Sequence, residues 1–171
     1  RCRLSARTLS PVTVFSNTTP LFAFSALRRL DVIQRIFGKL FVAESVVEEC
    51  AVGGLINVPD LKSFPWIQIV PSPSAPDPRF FALDAGERDT LTVALERKAN
   101  LVLIDERLGR NLAEYYGLAV VGTLGILLKA KQSGLIPAFV PEVRRLQDFG
   151  FWYQEKLVQR LAELAGENTL W

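Results

Sequence analysis

LDAGERDTLTVALERKANLVLIDERLGRNLAEYYGLAVV, residues 83 to 121, is the stretch that sets the fold class. Leu83 to Ala99 has the spacing of an amphipathic helix. Leu101 to Ile104 is apolar without a break, and Arg107 to Tyr116 is helical again until Gly117 stops it. Leu118 to Val121 then repeats the short apolar run. Strands apolar on both faces and separated by helices belong to a parallel sheet covered on both sides. In such sheets the ligand site lies outside the strand C-termini. Asp105, placed directly after Leu101–Ile104, is therefore either a helix N-cap or a ligand.

The same alternation extends in both directions. Val12 to Ser16 reads as a buried strand, and Pro20 opens a helical segment through Leu30. Val32 to Phe37 is a second helix stopped by Gly38, Leu40 to Val42 a brief strand, and Glu44 to Ala51 a helix. Part of Leu55 to Phe64 is expected to continue helically, and Trp66 to Val70 is a strand. Pro71 to Pro78 carries four prolines in eight positions and is the clearest loop. Beyond residue 121, Gly122-Thr123 leads into a helix to about Lys131, with Gly134 as its stop. Two more helices are expected near Pro141–Phe149 and Tyr153–Ala165. Together these give an α/β chain of three layers, with a parallel sheet of about five strands, in a single domain over 12–171. Residues 1–11 read as a poorly ordered leader.

Composition narrows the chemistry. The chain has 171 residues, of which 49% are hydrophobic and 22% charged, enough for one domain with a real core. No apolar run reaches the roughly 18 residues of a membrane span. Histidine is absent, so neither histidine-dependent nucleophilic catalysis nor a histidine zinc site is possible. Cys2 and Cys50 are too few for a zinc ribbon, and Cys50 reads as a core thiol, which suits a reducing cytoplasm. The net charge of +2 is too small to argue nucleic-acid binding, and Lys129/Lys131 and Arg144/Arg145 read as solvated helix faces. Neither a phosphate-binding loop nor a dinucleotide fingerprint follows the first strand.

Three further positions share the character of Asp105. Glu49 either solvates a surface helix with Glu44 and Glu48 or is carried to the border of the buried Val46/Cys50 face. Glu87, three residues after Asp84, completes a capping box, yet from a first helical turn it also points past the sheet edge. Glu106 is either a first-turn charge favoured by the helix dipole or a weaker ligand candidate. Carboxylates drawn together from separate elements repel one another unless a hard cation such as Mg²⁺ or Mn²⁺ joins them. Such an ion activates water and stabilises phosphate transition states without histidine. Arg107 and Arg110, just past Asp105, are either phosphate contacts or solvent-facing helix charges. The pair Phe151-Trp152 packs on a partner or seals the last helices.

In order and spacing, these segments resemble a known family. They are Ser16-Asn17-Thr18-Thr19-Pro20-Leu21, Val46-Val47-Glu48-Glu49, Leu83-Asp84-Ala85-Gly86-Glu87, and Leu103-Ile104-Asp105-Glu106-Arg107 with Gly109-Arg110. The run Val121 to Lys131, Gly134-Leu135-Ile136-Pro137 and Gly150-Phe151-Trp152 complete the set. The chain is similar, from about Val12 to Gly166, to PIN-domain proteins, in particular a prokaryotic branch related to the ribonuclease toxins of toxin–antitoxin pairs (VapC-like). The resemblance implies an endoribonuclease with an Mg²⁺ or Mn²⁺ site at residue 17, Glu49, Glu87 and Asp105, with Thr18 orienting the first position. It also implies RNA as substrate, a small antitoxin as partner and a homodimer. The family has Asp where Asn17 stands. Asparagine removes one negative charge from the metal site, and its NH₂ cannot accept a hydrogen bond from bound water. An impaired nuclease is therefore the first expectation. A non-catalytic PIN-like module that binds RNA or protein is the second, and a small-nucleotide-binding protein, favoured by fold alone, is the third.

Overall fold

The computed structural model describes residues 12–168. The expected leader at 1–11 lies outside the described residues, as does Cys2. The chain forms a five-stranded, all-parallel sheet in the order β3-β2-β1-β4-β5. Its strands are β1 (Val14–Ser16), β2 (Leu40–Ala43), β3 (Ile67–Val70), β4 (Leu101–Leu103) and β5 (Val120–Val121). The helices are α1 (Thr18–Ala26), α2 (Leu30–Phe37), α3 (Glu44–Ala51), α4 (Ala85–Glu96), α5 (Arg107–Tyr115), α6 (Thr123–Gln132), α7 (Val140–Asp148) and α8 (Glu155–Leu164). This is the three-layer α/β/α arrangement expected from the alternating pattern.

Central β1 is buried at all three positions because helices cover both of its faces. Phe15 pairs in register with Phe41 of β2, and their rings stack at 5.4 Å. On its other side β1 pairs with β4, Ser16 lying opposite Leu103. Helix α4 packs on β1 and β2 and against α3 and α5, while α6 packs against α1, α2 and α8. Strand order reverses between β1 and β4. Chain segments leaving these two strands diverge there and open a crevice at their C-terminal ends. Among the described residues no helix is long and apolar enough to cross a membrane.

Several boundaries move for identifiable reasons. Helix α1 begins at Thr18, ahead of Pro20, because Asn17 supplies the extended N-cap residue, and it ends at Ala26. The helical continuation expected within Leu55–Phe64 is not formed, and only a 3-10 turn at Leu61–Ser63 appears. Gly53 and Gly54 there adopt φ of 78° and 149°, and Pro59 lacks an amide donor, so the chain leaves helical space. Helix α8 starts at Glu155, because Gly150 turns at φ 93° and the chain stays irregular up to the extended N-cap residue Gln154. Cys50 is 4% exposed, and burial pushes its thiol up to about 12, so it is an inert core residue.

Candidate functional site

Asn17 stands at the exit of β1, and its backbone N–H donates to Leu103 O of β4 at 2.9 Å. It is the N-cap residue of α1, yet its side chain caps no amide. Asparagine at that position normally bonds the first helical turn. Here the buried amide group (3% exposed) is left with one long contact, 3.5 Å from Thr18 Oγ1. The hydroxyl proton of Thr18 goes instead to Glu49 Oε2, the much closer acceptor.

Glu49 is half-buried, unlike the exposed Glu44 and Glu48 beside it. Its Oε1 accepts the backbone N–H of Gly86 at 2.9 Å, so a carboxylate from α3 caps the N-terminus of α4. Gly86 makes this approach possible, since a Cβ there would lie 2.5 Å from Glu49 Oε2. A glycine in a first helical turn costs helix stability, and that cost was the sequence signal for this contact.

Glu87, one residue on, is 4% exposed. Asp84 Oδ1 accepts its backbone N–H at 2.8 Å, the expected half of the capping box. Among the described residues no hydrogen bond returns from the Glu87 carboxylate, so capping accounts for Asp84 and leaves Glu87 over. Burial, then the charges of Asp84, Glu106 and Glu49, raise Glu87 to about 7. Gly109 of α5 keeps space beside it, its absent Cβ lying 3.7 Å from the Glu87 carboxyl carbon.

Asp105 follows β4 and does not cap α5; Glu106 does, accepting from Leu108 N–H at 3.3 Å. Asp105 reaches across to α6 instead. Its Oδ1 accepts Thr123 N–H at 2.7 Å, and its Oδ2 accepts the Thr123 hydroxyl at 2.6 Å. Burial raises its pKa against the opposing pull of Thr123 and the Arg110 guanidinium. Arg110 Nη1 donates to Ile104 O at 3.1 Å, and both groups crowd Gly122, which has no room for a Cβ. Arg107 is exposed. Thr123 escaped the sequence reading as a partner of Asp105, because nothing local links residues eighteen apart.

All four positions thus come to one end of the sheet, divided in two. Glu49 is held between Thr18 and Gly86, near enough for its charge to act on Glu87, while Asp105 is turned toward Thr123 and Arg110. Among the described residues no three His, Cys, Asp or Glu side chains form a group able to hold a metal ion. In chemistry the Glu49/Glu87 side suits a hard cation: oxygen donors, one of them buried and acted on by the acidic Asp84, Glu106 and Glu49. In comparisons with known proteins, a family model described as a PIN domain matches residues 13–167 of the chain. No curated protein sequence matches it.

Proposed function

The chain belongs to the PIN-domain family, and from that premise we propose an Mg²⁺- or Mn²⁺-dependent endoribonuclease, toxin-like in kind and impaired by Asn17. One observation carries the metal dependence: the Glu87 carboxyl is buried, and the charges of Asp84, Glu106 and Glu49 act on it. A buried carboxylate among acidic neighbours is costly, and a hard cation bound by them would offset that cost. Glu49 and Glu87 are the proposed ligands, with residue 17 and Asp105 at the margin. A divalent ion bound there supplies positive charge against a scissile phosphate and lowers the pKa of a water.

The remaining work belongs to the chain's own side chains. Thr18 Oγ1 and Gly86 N–H fix both oxygens of Glu49, so its carboxylate is oriented before any ligand arrives. Glu87, raised to about 7 in the metal-free fold, would give up its proton to ligate the ion, which ties metal affinity to pH. Asp105 is held by Thr123 beside Arg110, whose guanidinium is the proposed phosphate contact. Asn17 is neutral, and site affinity for a hard cation follows the ligand charge count. RNA as substrate, a small antitoxin as inhibitor and a homodimer are proposed on the family resemblance.

The test is cleavage of a mixed RNA pool with Mn²⁺ or Mg²⁺ by the chain as given and by Asn17→Asp. Chelator-sensitive cleavage by Asn17→Asp alone is the expected outcome. Cleavage by both makes Glu49, Glu87 and Asp105 sufficient and removes the impairment. Cleavage by neither, with both folded, favours the non-catalytic binding module, which the engagement of Asp105 with Thr123 also supports.

A further inference from the structure

A cleft of about 700 Å³ opens beside Asp105, between edge strand β5 and the chain leading into α8. Its volume lies within the range of sites that enclose a small organic ligand. Val121 and Gly122 form its back, and Leu157 and Leu161 of α8 form its front. Asp105 and Arg110 belong both to its rim and to the candidate site, so the two are continuous.

The irregular segment after Gly150 builds the cleft's aromatic wall. Phe151 and Tyr153 point inward and stack at 6.5 Å with planes 6° apart. Trp152, between them, is thrown outward and is 83% exposed, although it lines the cleft. An indole displayed in this way contributes little to the core. A free aromatic face lining a cleft suits a planar heterocycle.

We infer that this cleft is a stacking subsite for an unpaired base of single-stranded RNA, with Trp152 as its platform. The choice of polymer rests on the nuclease reading, through the shared Asp105 and Arg110. A neutral base is compatible with the nearby carboxylates of Asp105 and Glu106, whereas a phosphate is not. The adjoining phosphate then falls toward Arg110.

The test is fluorescence anisotropy of a short labelled single strand of mixed sequence, and of a hairpin duplex, with the chain as given, Trp152→Ala and Trp152→Phe. Thermal midpoints confirm folding, which an exposed side chain does not threaten. Loss of one base stack weakens single-strand binding roughly 5- to 100-fold in Trp152→Ala. Trp152→Phe recovers most of it and duplex binding stays level. Equal single-strand affinity for all three proteins overturns the inference, as does an equal loss for strand and duplex. Unchanged RNA affinity with altered self-association on sizing assigns the cleft to a protein contact and overturns it too. Absence of any RNA binding by the parent also overturns it. Cleavage by Asn17→Asp judges the nuclease reading separately in every case.

Discussion

Glu87 carries a proton at pH values where an ordinary carboxyl has lost it, and that has a consequence for stability. In the unfolded chain it titrates near its ordinary 4.5, and in the metal-free fold at about 7. Between those values the folded state binds the extra proton, so stability is complete below about pH 4.5 and falls as pH rises through 7. The limiting loss is on the order of 3 kcal/mol. Urea melts in chelator at about pH 5 and about pH 8 measure it, and Glu87→Gln is expected to flatten most of the slope. Asp105, also raised, contributes in the same direction. A slope unchanged in Glu87→Gln assigns the titration elsewhere. At this scale the sequence placed Asn17, Glu87 and Asp105 at junctions between elements, because those junctions are visible in local pattern. It did not disclose their partners. Gly86 N–H for Glu49 and Thr123 for Asp105 come from distant segments that only the folded sheet brings near.

Helix α4 illustrates how an element can serve two masters. Its first turn holds Asp84 as cap, Glu87 inside and Gly86 as the gap into which Glu49 fits. Gly86→Ala places a Cβ against the free end of a flexible side chain, so Glu49 swings away while the helix persists. Helix propensity then gains up to about 1 kcal/mol, and the thermal midpoint is expected to hold or rise slightly. In an Asn17→Asp background the same change is expected to weaken Mn²⁺ binding by roughly tenfold or more, read by calorimetry. A fallen midpoint with unchanged metal affinity contradicts this division. Elements with strong periodicity, α4, β4 and α5, were legible to within a few residues. The stretch from Leu55 to Phe64 was not, because its apolar residues cover the sheet edge from irregular backbone. Val58 and Phe64 pack on the core without helical spacing. Apolar content alone does not distinguish such a segment from a helix.

For the molecule as a whole, residue 17 trades stability against metal binding. Asn17→Asp buries a carboxylate beside Glu49, and in chelator this is expected to cost about 1–3 kcal/mol. Mn²⁺ at about 100 times its dissociation constant returns roughly 2.7 kcal/mol. Thermal shifts with and without Mn²⁺ are expected to show a larger ion-dependent rise for Asn17→Asp than for the chain as given; equal rises show that residue 17 is not a ligand. The layered class was legible because a parallel sheet needs strands apolar on both faces. The place of β1 at the centre was not, since strand order is decided by packing rather than by any one segment. The carboxylates at the mouth of that sheet have a second employment: Glu49 closes the start of α4, and Asp105 the start of α6. A lineage that gave up cutting would still be held by natural selection to keep both, because its helices need them. The side chains of residue 17 and Glu87 close no helix, so these are the positions in this edge that descent is free to alter without loss of a cap.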